Sequence, residues 1–463
     1  MATEEKKLQH LLARAGFGAT PELLARFKGQ DLAVVVGALM KDAQVVQDLL
    51  FLERPETNDK GEVRPLKVVA LFLKSQKQKE ALNFAWIDRM AVAKAQLREK
   101  MILFWHNHFA TSGNFAYLCQ VQHNTLRKYA LGSFRDMLHA MSKDPAMILW
   151  LNNQENKKDA PNENFAREVM ELFTLGEGNG YKENDIKNAA RAFTGWAVNK
   201  KGEFEFREKQ HDFDEKEVFG KKGNFNGEDI INMLLEKPQV AEYICRKIYK
   251  AFVNPEVDEA RVKELAARFR FNDYDIADLM RTTFVSDWFY EDKNIGCIII
   301  SPVELIVRFK KLCALEVDDE QMGALQQVLG QTLFLPPNVA GWKGGRGWID
   351  TSSLVQRLHL PKAMLDAGTA RLNKRPAFEE TKDSKPQDDK TAKVKSDWTK
   401  LTNYFSNVDE NLLTNEVIKF LILAPSDRID KKQIESNVDA STKQRRIITT
   451  IASVMQTPEF QII

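Results

Sequence analysis

Residues that interrupt helices are few and clustered in this chain. Fifteen prolines and 23 glycines are spread over 463 residues, and these two residue types are the strongest breaks in regular structure. Between them, apolar residues recur every three to four positions, the period of a helix with one buried face. Leu8, Leu11, Leu12 and Ala15 mark such a face, and Gly16-Phe17-Gly18 stops it. Thr20-Pro21 then offers an N-cap with proline in the first helical position, where its missing N–H costs nothing. The spacing predicts further helices over 67–112, 121–142, 163–175, 185–194, 228–236, 238–252, 257–270, 274–285 and 302–315, and again in the last sixty-odd residues. Polar or Pro/Gly-rich stretches at 56–66, 152–162 and 336–353 read as loops. The expected fold class is mainly α, a large multi-helix domain, and the 43% hydrophobic content is enough for a sizeable core.

Two stretches break the pattern. Around 197–220, Phe204-Glu205-Phe206 alternates after the turn-forming Asn199-Lys200-Lys201-Gly202, which predicts a small β-hairpin insertion. Residues 374–396 are charged and poor in apolar side chains, and read as a flexible insertion. The expected organisation is a main helical domain over 1–373, that insertion, and C-terminal helices over 397–463 packing on the main domain. Phe284 to Phe289 and Met455 to Phe460 are faintly alike, each closing a helix with a small polar residue and an aromatic. The match is too short for a repeat.

With 67 basic and 65 acidic residues the net charge is +2, which argues against a dedicated nucleic-acid binder. The four cysteines, Cys119, Cys245, Cys297 and Cys313, include no Cys-x-x-Cys pair, so zinc-ribbon and thioredoxin readings have no support. Cys245 and Cys313 lie in apolar helical patterns as buried thiols. No basic start followed by an apolar run marks the N-terminus. No stretch reaches the ~18 uninterrupted apolar residues of a membrane span. The expectation by default is cytoplasmic.

Several segments carry residues capable of chemistry. On a helix, Glu163, Arg167 and Glu171 align four apart, while Phe165, Val169, Leu172 and Phe173 face the core. Glu168 and Glu171 are three apart, so two carboxylates share one space, as an acid/base pair or a carboxylate-bridged metal requires. A Glu–Arg–Glu ladder between helices produces the same spacing and is the favoured reading. His106 and His108 lie about 200° apart on a helix, so they share a metal only if the helix ends between them. A histidine in the core is the simpler reading of His108. His211-Asp212 follows the predicted hairpin, and a loop histidine beside a carboxylate suits a base or a metal ligand.

The catalytic candidates are therefore Glu168, Glu171, Arg167 and His211. The metal candidates are His106, His108, Glu168, Glu171, His211 and Asp212, which together would hold a divalent ion. In Gly341-Trp342-Lys343-Gly344-Gly345-Arg346-Gly347-Trp348, backbone amides with Lys343 and Arg346 could hold an anionic cofactor, though a tight turn burying two tryptophans is favoured. No Walker A loop and no Gly-x-Ser-x-Gly elbow occurs. His106-Asn107-His108 sits in a helical setting, which is not that of a ββα-metal nuclease.

Pro161 to Gly176 and Ala189 to Trp196 resemble the bacterial family catalogued as domain of unknown function 1800. Leu11–Gly18, Phe104–Phe109, Ser301–Leu305, Pro336–Trp348 and Pro458–Gln461 agree in the family's order, so the resemblance spans nearly the whole chain. The sequence departs from the pattern at Phe173, where the family often has histidine; any role of that histidine is absent or moved here. The resemblance implies no reaction. It implies genes beside those of a sulfatase-like, exported family, domain of unknown function 1501, and hence a partner of that kind and an envelope association. Two readings follow. One is a polar, metal-dependent pocket built from 104–112, 163–171, 191–196 and 211–212. The other is a non-catalytic helical scaffold that binds the sulfatase-like protein.

Overall fold

The computed structural model describes residues 2–58, 60, 63, 65–113, 115–365, 369–372 and 390–463. Helices dominate them, and most begin where the sequence supplies a cap. Thr20 Oγ1 accepts from Leu23 N (3.3 Å) ahead of the Pro21–Phe27 helix. Ser301 and Glu304 exchange hydrogen bonds at the start of Pro302–Cys313, satisfying two backbone donors that a helix start leaves unpaired. Asp144, Asp258 and Asp275 cap three more.

Two stretches that read as single helices are broken. Residues 67–112 divide into Pro65–Val92 and Gln96–His108, because Gln96 Nε2 turns back onto the carbonyls of Met90 (3.0 Å) and Ala93 (2.5 Å). Residues 121–142 divide at Gly132-Ser133 into Ala116–Tyr129 and Phe134–Ser142, the second capped by Ser133. The 163–175 helix is regular only over Asn164–Met170. From Glu171 to Leu175 it widens into a π-turn, and Gly176, at φ +87°, ends it.

The expected hairpin is present, Trp196–Val198 pairing antiparallel with Phe204–Phe206. A second hairpin follows at once, Lys216–Val218 with Lys221–Gly223. A third small sheet pairs Lys390–Lys395 with Glu316–Val317 on one side and Thr369–Leu372 on the other. The flexible insertion expected at 374–396 lies outside the described residues up to 389; 390–395, at its end, form that strand. The loop over 152–162 is mostly exposed, as expected, with two exceptions. Asn153 and Asn156 are inside, donating to the carbonyls of Trp196 (3.1 Å) and Ala190 (2.8 Å).

The hydrophobic core runs from Leu8 to Ile463. Its two ends meet on one strip of backbone. Ile298 N and Cys297 N both donate to Ile463 O (3.0 Å each), and Ile463 N donates to Ile298 O (2.8 Å). Arg14 Nη2 reaches Asn294 O (2.8 Å), and Arg308 donates to Phe460 O (3.0 Å) and Leu421 O (2.6 Å). The two faintly similar segments adopt the same local form, a helix followed by a 3-10 turn that buries an aromatic, Phe289 in one and Phe460 in the other. Among the described residues, no helix is long and apolar enough to cross a membrane.

Candidate functional site

The two histidines of the Gln96–His108 helix point to different places, as their 200° separation requires. His106 is buried against Trp86, Phe334 and Trp342, and its Nε2 accepts from Phe334 N (3.1 Å). Burial alone lowers its pKa to about 3. The imidazole is therefore neutral and spent on a backbone bond.

His108 serves the end of this segment, whose last carbonyls have no partner within the helix. Phe173 O accepts from His108 Nε2 (3.2 Å) and Leu172 O accepts from Tyr243 OH (3.1 Å). With Nε2 donating, His108 Nδ1 accepts, and its donor is Lys247 Nζ (2.7 Å). Burial, then the Lys247 charge, holds the His108 pKa well below its ordinary value; burial pushes Lys247 down to about 8. Phe173 packs on His108 and Phe109.

Arg167 is the centre of a ladder. It meets Glu163 (3.0 Å), Glu171 (3.5 Å) and Glu183 (2.5 Å). Glu168 stands outside it, half-buried, with its carboxyl pKa raised by burial and then by Glu171. His211 is buried and donates through Nδ1 to Thr194 O (2.8 Å), with Phe206 and Phe213 edge-on. Asp212 is clasped by Arg191 (2.7 and 3.3 Å), and its pKa falls despite partial burial because of that bond. Gly195, at φ +82°, lets the chain pass here, since a Cβ would stand 2.7 Å from Arg207 O. Five of the six candidate ligands thus serve separate structural bonds, and Glu168 stands apart from them. Among the described residues, no group of three or more His, Cys, Asp or Glu is placed to hold a metal ion.

The Gly-rich segment is a turn that buries Trp342 and Trp348. Asn107 of the histidine motif locks it, Oδ1 accepting from Trp342 N (2.7 Å). Lys343 and Arg346 are exposed. Arg346 lines a cavity of about 560 Å³ with Tyr249, Asp258, Lys293 and Cys297.

Sequence reasoning missed a buried charge cluster beneath His106. Arg127 pairs with Glu99, Glu99 also accepts from Trp86 Nε1 (3.0 Å) and Arg89 (3.3 Å), and Arg127 Nη1 touches His123 Nε2 (3.3 Å). Isolated charges in a helical pattern read as a solvent face, so nothing flagged them. It also missed a groove of about 380 Å³ walled by Leu52, Val68, Leu71, Phe115, Leu118 and Val198. Among the described residues Arg54, Lys200, Lys201, Arg207 and Glu53 also line it, with Arg54 paired to Glu203 (2.8 Å) and Arg207 to Glu205 (2.9 Å).

A family model described as a protein of unknown function, DUF1800, matches residues 10–462. No curated protein and no solved structure matches the chain.

Proposed function

The chain belongs to the DUF1800 family, and we propose that it works as a non-catalytic helical docking protein whose contact face is the apolar groove and the helix beside it. One observation carries this reading. Val68, Val69, Phe72 and Leu73 form a stripe on the Pro65–Val92 helix, and all four are exposed, Phe72 at 53% and Leu73 at 74%. Leu50 and Phe51 are exposed at the neighbouring loop, and Phe72 touches Phe115 of the groove wall. Scattered apolar residues on a surface need no explanation, but a contiguous patch beside a groove marks an interaction surface.

The occupant that fits is a partner-protein segment with apolar side chains, matching the exposed stripe and the apolar wall of the groove. The sulfatase-like protein implied by the family resemblance is the partner we infer. A metal-dependent pocket has less support, because His106, His108, His211, Asp212 and Glu171 each already hold a backbone amide, a backbone carbonyl or an arginine, and Glu168 belongs to no group of three or more possible ligands among the described residues.

Gel filtration of the purified protein with a DUF1501-family protein from the same genome tests the reading. The wild type co-elutes with it, and the F72E/L73E double variant does not, while its helical circular dichroism is unchanged. Co-elution that survives both substitutions, or none with the wild type, overturns it.

A further inference from the structure

Three of the four thiols are inert. Cys119, Cys245 and Cys313 are buried, and burial pushes their pKa values up, Cys119 to about 11. Cys297 differs: it is half-buried and lines the 560 Å³ cavity. Its Sγ receives a hydrogen bond from Arg14 Nη2 (3.4 Å) and lies 3.2 Å from Asn294 O and 3.4 Å from Val253 O, either of which accepts the thiol proton.

Arg14 is the second, independent observation. The residue is 1% exposed, and among the described residues its Nε and Nη1 have no partner. A buried guanidinium without a counter-charge is costly. The acceptors its guanidinium does reach are Asn294 O and the Cys297 sulfur, and Glu304, the carboxylate that also acts on it, is already held by Lys100. The arginine that lacks an anion therefore touches the single thiol open to a cavity. Charged and polar side chains, Lys293, Arg346, Tyr249, Glu256 and Asp258, face that cavity alongside Val257 and Ile299.

We propose that Cys297 is a redox site, a thiol that Arg14 activates for reaction with a small hydroperoxide entering this cavity. The half-buried cysteine on the cavity wall suits a reagent of a few atoms. The thiol gives its proton to water in the cavity, leaving a thiolate beside the guanidinium. The thiolate sulfur attacks one peroxide oxygen; the S–O bond forms as the O–O bond breaks. Sulfur is oxidised by two electrons to a sulfenic acid, and the peroxide is reduced. The departing oxygen leaves as hydroxide, or alkoxide from an organic hydroperoxide, and takes up the proton released earlier to give water or alcohol. The site is separate from the docking groove, so it stands whether or not that reading does.

Hydrogen peroxide treatment of the full chain, with dimedone trapping and peptide mass spectrometry, is the test. The adduct forms on Cys297 and on none of the other three cysteines, and C297S abolishes it. R14M slows its formation at least tenfold, while R14K, which keeps the charge, retains most of the rate. Should R14M not fold, the comparison is between native and urea-unfolded wild type, in which Cys297 loses Arg14; the native thiol reacts at least tenfold faster. An adduct spread evenly over the cysteines, none on Cys297, an R14M rate equal to wild type, or a native rate at or below the unfolded one overturns the proposal.

Discussion

Glu168 and Arg167 are neighbours with opposite roles, and substitution separates them. Glu168 has a raised pKa, so folding disfavours its charged form and at neutral pH that charge costs stability. E168Q is expected to leave the melting temperature unchanged or raise it. R167A removes the centre of a partly exposed ladder and produces a small fall in melting temperature that added salt reduces. Thermal melts of both variants at two ionic strengths check this. His106 makes a separate prediction with pH. In the unfolded chain it takes a proton as pH falls past 6.5, whereas in the fold it stays neutral down to about 3. Its contribution is whole above 6.5 and is lost as pH falls towards 3, so urea unfolding of H106Q should depend less steeply on pH across that window. The separation of His106 from His108 was legible beforehand, because residues two apart on a helix cannot face one way. Their partners were not: Phe334 N and Lys247 lie far off in sequence, and no local pattern announces them.

Caps are the most legible elements, since Thr20-Pro21 states a helix start in its own chemistry. The π-turn over Glu171–Leu175 was not legible. Its apolar spacing is that of an α-helix, and the bonds that stabilise it come from His108 and Tyr243 on other helices. The strand Lys390–Lys395 was missed for a similar reason, as its composition is that of a solvated stretch and its order comes from two partner strands. At this scale the joint between the Gln96–His108 helix and the Gly-rich turn is the sharpest target. Gly341 sits at φ +79°, and a Cβ there would fall 2.3 Å from Asn107 Oδ1. G341A therefore strains the backbone and displaces the amide that holds Trp342, at a cost of about 2 kcal/mol or more measured by urea unfolding.

The mainly helical class was legible for the molecule as a whole, because sparse breakers and a three-to-four-residue period survive every local exception. Its closure was not, since it depends on pairs such as Ile298 with Ile463 that no nearby pattern specifies. Removing 458–463 takes away buried Phe460 and Ile463 together with acceptors for Arg308 and Ile300 N. That deletion is expected to lower the melting temperature by roughly ten degrees or more, or to leave the protein insoluble on expression. The strip of backbone near 294–300 has a kinetic meaning as well. Arg14 meets Asn294 across 280 residues, and Arg308 meets Phe460 across 152. Loops of that length close only after most of the chain has collapsed, and non-local contacts slow folding. Refolding should therefore pass through a helical species in which these seams are still open, and until they shut the sulfur of Cys297 lacks the arginine that sets it apart.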